Sequence, residues 1–481
     1  MFLFFAGGKI SALVRHSTTM IKSNTTTAIE ALRSVLDDSC IITGEKTEKY
    51  SKDFYWYSPV LKKHLEEKKA EVALLVQSKE ELQKVIGILY EHEVPLTLRG
   101  GGSGNYGQLI PLYGGAVIDI TKMDKILSLE DGVVHAEVGA TLRKIELESR
   151  LKGWELRCMP STWIISTIGG FFCGGSGGIG SILHGGIASG DNVKSVTIMT
   201  MEAEPKFIKL EERDALTALH TYGTNCIMVE VEMRLGKAYP WEQLIFTGDD
   251  WSALLDWTHG IACDSSIPKR LVTQFETPIP TYFKPLKKYI PEDKHCTFLL
   301  VDAPDADRVI ASAEAAGLSQ VFRKPFGEPP KPPYITDYTW NHTTLWAIKA
   351  DPQFTYLQCG FGGDFKGNLA KLKEKYGDEF LLHIEMTRGN SKFKGAQAEV
   401  SVGGIPLIRY TTEERLNEII EYCESIGVGV ANPHAFTLEG GGEHEDIAEK
   451  RALKDTVDPK ALLNPGKMAS YPVNPFAGQS A

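Results

Sequence analysis

The sequence predicts a mixed helix-and-strand protein of two or three domains. Three observations lead there. The chain has 481 residues, too many for one ordinary core. Its first half alternates strand-like runs with amphipathic helical stretches, an α/β pattern. Its middle then changes character, with tryptophan, tyrosine, phenylalanine and proline crowding residues 240 to 360.

In order, residues 26 to 36 read as a short helix. EVALLVQ (71–77) is apolar and strand-like. SKEELQKVIGILYEHE (78–93) has a serine cap, acids in its first turn and helical spacing of its apolar residues. PLTLRG (95–100) is the next strand and AVIDITKM (116–123) another. VVHAEVGA (133–140) reads as a strand, followed by a helix over 141–152. NVKSVTIMTM (192–201) and CIMVEVEMRL (226–235) are apolar strands. FRKPFGEPPKPPY (322–334) reads as a loop or linker. TEERLNEIIEYCESIG (412–427) is a helix, and KRALKDTVDPKALLNPGKM (450–468) a helix stopped by proline and glycine.

Apolar residues make up 42% and charged residues 24% of the chain, ordinary for a globular protein. The net charge of −10 argues against a nucleic-acid binder or a polybasic membrane anchor. No apolar run reaches the ~18 residues that span a bilayer. The eight cysteines are scattered, without CxxC or zinc spacing, which fits a reducing compartment. Residues 1–29 lack Asp and Glu and carry Lys9, Arg15 and Lys22. That composition suits an organelle transit peptide and equally a disordered extension of a cytoplasmic protein.

Two glycine clusters carry the chemistry. RGGGSGNYGQ runs from Arg99 to Gln108, directly after a strand, and STIGGFFCGGSGGIGS from Ser166 to Ser181. Glycine turns the chain through positive φ, so successive backbone N–H groups can face one concavity and bind an anion, above all phosphate. Two such loops suggest a ligand with an extended phosphate bridge, and FAD is the candidate. The first loop leads into a loop and a strand, so it is no Rossmann fingerprint, and without GKS or GKT it is no P-loop.

The order of the pieces is more specific than either loop. PLTLRGGGSGN, VIDITKMDKI, VHAEVGATLRKIELESRLKGWEL, the second glycine cluster, YGTNCIMVEVEMRL and VDPKALLNPGKM follow one another. In this the chain resembles the vanillyl-alcohol oxidase and p-cresol methylhydroxylase superfamily. That superfamily includes the flavin subunits of glycolate oxidase and the cytochrome-linked D-lactate dehydrogenases.

The resemblance implies an α+β fold: a two-subdomain FAD-binding domain of the p-cresol methylhydroxylase type, with an α+β substrate-binding cap. The implied boundaries are an extension at 1–29, the FAD-binding domain at 30–237, the cap at 238–445 and a returning C-terminal segment at 446–481. Arg99, Gly100, Gly101, Gly102, Ser103, Gly104 and Asn105 would wrap the pyrophosphate. Ser166, Thr167, Gly169, Gly170, Gly175 and Gly178 would line the adenosine and isoalloxazine. Ile227 falls at the family's backbone contact to adenine, and Asn464 and Lys467 where the chain returns to the flavin. The first loop carries Gly102 and Ser103 where covalent relatives often have histidine. Cys173 is not where bicovalent relatives place their cysteine. The expected FAD is therefore non-covalent.

Oxidising an alcohol or hydroxy acid needs a base near the hydroxyl and, for an acid, a cation to hold its carboxylate. ITDYTWNHTTLWAIK offers His342 and Tyr338, VANPHAFTLEGGG offers His434, and MTRGN offers Arg388. The base is expected to be His342 or His434, with Tyr338 as a supporting donor. No metal is expected: no histidine follows Asn390, and His434 follows Pro433 where metal-dependent relatives have glutamate. His444 and Glu445 lie on an acidic stretch.

The leading expectation is an FAD-dependent oxidoreductase acting on a small alcohol or hydroxy acid, reoxidised by oxygen, a quinone or a cytochrome. The alternative is a non-catalytic FAD-binding subunit of a larger oxidase. The expected partner is a small-molecule substrate, and homo-oligomerisation stays open.

Overall fold

The computed structural model describes residues 24–189, 192–327, 332–388, 400–442 and 446–471. The first sheet has four strands in the order Ile41–Thr43, Val72–Leu75, Ala116–Asp119, Leu96–Arg99. Its last three strands are parallel, and the helix Lys79–Glu91 makes the crossover. That helix starts where Ser78 Oγ accepts from the Glu81 N–H at 3.1 Å, and it buries Leu82, Val85, Ile86 and Leu89 against the sheet. The strand Leu96–Arg99 opens into the first glycine loop. The C-terminal segment returns to it: Leu96 pairs with Leu463 across an isolated bridge.

The second sheet is antiparallel and six-stranded, built around the long strand Ile227–Lys237, which pairs with Val133–Glu137, Val193–Met199 and Trp154–Leu156. The second glycine cluster lies between two of its strands. Read as a loop, it contains a short helix, Ile168–Gly174, capped by Thr167.

The third sheet has eight strands in the order Ser319–Pro325, Trp241–Gly248, His295–Asp302, Lys269–Phe275, His383–Arg388, Val400–Gly404, Gln358–Gly360, Gly429–Ala431. The segment expected to be a loop from residue 322 thus begins as an edge strand, where its proline is tolerated. The C-terminal helix is Ile447–Val457, ending just before Asp458 and Pro459; the expected helix beyond them is turn and bridge structure, since proline breaks the ladder. The expected extension lies mostly outside the described residues. No helix among the described residues is long and apolar enough to cross a membrane.

A buried ionic cluster joins the first half of the chain to the eight-stranded sheet. Arg270, fully buried on the strand Lys269–Phe275, donates to Glu146 at 2.7 Å and to the Leu156 carbonyl at 2.8 Å. Arg150 pairs with Glu155, which also accepts from Trp241 Nε1 at 2.7 Å. Burial raises the Glu155 carboxyl to about 7 against the pull of Arg270. These contacts fix the sheet's tilt over the glycine loops.

Candidate active site

Between the glycine loops and the eight-stranded sheet lies a cavity of about 980 Å³, the upper end of the range for small-molecule sites. One wall is backbone. Gly100 to Asn105, Ser166, Thr167, Gly169, Gly170 and Gly175 all line it. Their glycines are forced by the close approach of the two loops: a Cβ on Gly100 would strike Thr167 Oγ1, and one on Gly101 the Ile165 carbonyl. Gly102 adds the turn, with φ +66°. The loops are also bonded, Ser103 Oγ to Ser166 Oγ at 2.7 Å. A long concave wall of bare backbone, its hydroxyls paired among themselves, fits a dinucleotide with a pyrophosphate.

Five expected cofactor residues stand elsewhere. Arg99 points behind the loop, donating to the Lys52 carbonyl at 2.8 Å, and braces it from outside the cavity. Gly178 packs on the Met159 carbonyl. Ile227 is fully buried, and its neighbour Met228 reaches the cavity instead. Asn464 donates to the carbonyls of Gln108 and Tyr222 at 2.8 and 2.7 Å, and Lys467 to the Gly107 carbonyl at 2.6 Å. Both therefore tie the C-terminal segment to the end of the first glycine loop, behind the cavity wall.

The opposite wall belongs to the sheet, and a row of residues crosses four adjacent strands there. Glu385 pairs with Gly403, Gly403 with Gly360, and Gly360 with Gly429. All four line the cavity. The row spans about 14 Å at the usual strand spacing. Cβ atoms are absent over three of its four positions, leaving a floor of bare backbone that ends on a buried carboxylate.

Polar atoms without partners gather around this floor. Trp340 Nε1, Asn341 Oδ1, His342 Nδ1 and Arg388 Nε are buried and make no hydrogen bond, and all four residues line the cavity. Unpaired buried polar atoms cost free energy, so such a set at one place marks where a ligand's own polar groups bind. Burial lowers the His342 imidazole to about 4, with a smaller push from Lys349. The ring is neutral near pH 7, and its Nδ1 has no hydrogen-bond partner in the protein.

His434 and Tyr338 do not belong to this set. The His434 ring is held on both sides, Nδ1 against Ser58 Oγ at 2.7 Å and Nε2 against the Tyr356 carbonyl at 2.8 Å. Neither nitrogen is free for a substrate, and the residue does not line the cavity. Tyr338 is buried, with its ring stacked 5.6 Å from Trp346, and serves as core. Sequence reasoning passed over Glu385, although strand alternation sets it two residues from His383 on one face. Cys173 lines the cavity with its thiol pushed up to about 12 by burial. Among the described residues no three His, Cys, Asp or Glu side chains form a group that could hold a metal ion. Asn390, His444 and Glu445 lie outside them.

Residues 70–206 match the FAD binding domain family. The D-lactate dehydrogenase of Anaerostipes hadrus is 28% identical over 136 residues, which is 28% of this chain and 28% of that protein. The chain thus spans less than half the length of the first curated relatives it matches. Glycolate oxidase subunit GlcD of Escherichia coli (strain K12) is 22% identical over 434 residues, 82% of this chain and 83% of that one. A solved structure of alkyldihydroxyacetonephosphate synthase superposes with a TM-score of 0.67 at 16% identity, over 92% of this chain and 85% of the other. The ordered glycine loops, the backbone-walled cavity and these likenesses lead to one assignment: the chain carries an FAD-binding domain of the p-cresol methylhydroxylase type, and its likenesses support the FAD-linked oxidase superfamily.

Proposed function

We propose that this flavoprotein oxidises the CH–OH group of a small hydroxy acid or alcohol. The observation that carries the reading is the set of unpartnered buried atoms on the cap wall, opposite the glycine loops. Bound FAD supplies a two-electron acceptor for the hydride. His342 Nδ1, unpartnered in the cavity wall, takes the hydroxyl proton as the hydride departs. Arg388, with its Nε unpaired, holds the carboxylate of a hydroxy acid, and Asn341 and Trp340 orient the remaining polar atoms. The relatives named for D-lactate and glycolate support the same substrate class.

FAD is held without a covalent bond, because the first loop offers no histidine and the Cys173 thiol stays protonated. Oxygen, a quinone or a cytochrome reoxidises it. The purified protein should show flavin bands that move to the supernatant on acid precipitation, and one or more members of a hydroxy acid and alcohol panel should bleach them without air. Flavin that no panel member bleaches would favour a non-catalytic FAD-binding subunit. Colour in the acid pellet would show a covalent link.

A further inference from the structure

Trp340 lies at φ 52° and ψ −141°, a left-handed conformation that a bulky residue adopts only under constraint. Two bonds supply the constraint. Its N–H donates to Glu385 Oε1 at 2.7 Å, and its carbonyl accepts from the Thr343 N–H at 3.1 Å in the first turn of the helix Asn341–Ala350. Its indole ends 3.6 Å from where a Cβ on Gly177 would sit, so it bridges from the cap to the second glycine cluster.

Glu385 is itself locked. Oε2 accepts from Thr273 Oγ1 at 2.5 Å, and Oε1 faces His383 Nε2 at 2.9 Å. His383 is fully buried, stacked on Phe275 at 4.8 Å, with Nδ1 facing the Ile405 carbonyl at 3.1 Å. Both ring nitrogens thus face acceptor oxygens. With its carboxyl fixed by Thr273 and His383, Glu385 offers the Trp340 N–H an acceptor that cannot swing away, which holds the strained backbone in place.

We propose that Glu385, backed by His383, is a positioning residue of the site. It holds Trp340 in its left-handed conformation, and through Trp340 it sets the first helical turn that presents Asn341 and His342 to the cavity. This rests on the reading of the cavity as the substrate's place.

The test compares Glu385→Gln with Glu385→Ala, alone and combined with Trp340→Gly. Glutamine keeps an oxygen for the Trp340 N–H, so it should retain turnover within about tenfold. Alanine should lower kcat by about a hundredfold, with a smaller change in KM and unchanged FAD content. Glycine adopts positive φ freely, so in the Trp340→Gly background Glu385→Ala should add little. Glutamine failing as badly as alanine, or losses that add in the double variant, would overturn the proposal. A second readout does not depend on turnover. Acrylamide quenching of the Trp340 fluorescence, isolated by subtracting Trp340→Phe, should rise severalfold in Glu385→Ala and stay near wild type in Glu385→Gln. Equal quenching in all three overturns the positioning role even if no alcohol or hydroxy acid is ever oxidised; that last result would instead remove the functional reading.

Discussion

Two clusters of buried polar side chains each take a member from the eight-stranded sheet, Arg270 in one and Arg388 in the other, and they differ in how their charges are met. In the first, Arg150 and Arg270 meet Glu146 and Glu155 in ion pairs and Trp241 donates to Glu155, so opposite charges face one another even though Glu155 Oε1 and Arg270 Nε make no hydrogen bond. In the second, Trp340, Asn341, His342 and Arg388 each present an atom with none. Burying such groups is costly in both places. The first cluster offsets most of that cost by pairing charges within the fold, and its contacts join the cap to the FAD-binding half. The second leaves the cost standing, as a site does when its partners arrive with a ligand.

Removing a member should therefore hurt stability in the first cluster and function in the second. Arg270→Ala removes one of the two arginines facing Glu146 and Glu155, leaving two buried carboxyls to Arg150, and should destabilise the fold by about 3 kcal/mol, read as a lower midpoint in urea and weaker FAD retention. The residue that left the site, His434, belongs with the first cluster in this respect. Burial lowers its imidazole to about 4 from 6.5. The unfolded state then binds more protons below pH 6.5, so stability is lost as pH falls from about 6.5 toward 4, by up to about 3 kcal/mol from this one group. Urea melts at pH 7 and pH 5 should show that loss, and His434→Gln should flatten it.

Arg388→Ala is the counterpart of Arg270→Ala. Its folding stability should change by under about 1 kcal/mol, since one unpaired buried atom goes with it. Binding of a carboxylate ligand, titrated by the flavin spectrum, should weaken by about 2 kcal/mol, or roughly thirtyfold. The smallest effect is expected on the bare floor. No heavy atom lies within 4 Å of a Cβ placed on Gly429, so Gly429→Leu should leave the melting temperature nearly unchanged while weakening bulky ligands a fewfold.

The glycine loops were legible because their composition follows from geometry. Gly100 and Gly101 have no room for a Cβ against Thr167 and Ile165, and that requirement is written into the sequence. The alternation of strands and the capped helix at Lys79–Glu91 were legible for similar local reasons. The site's cap wall was not. His342 and His434 look alike in sequence, and only contacts with Ser58 and Tyr356, far away along the chain, take His434 out of play. Asn464 and Lys467 sit in the right segment, yet the carbonyls they grip turn them into fasteners of the loop. Glu385 carries no motif; its role comes from meeting Trp340 at the start of the helix Asn341–Ala350.

The most direct measurement is anaerobic reduction of the bound FAD by a hydroxy acid from the panel, followed at the flavin band in wild type and His342→Ala. The account predicts bleaching in wild type and a loss of about a hundredfold or more in rate in the variant, with FAD content and melting temperature unchanged. Equal rates in the two proteins would contradict it, because the buried, unpartnered imidazole would then take no part in the chemistry.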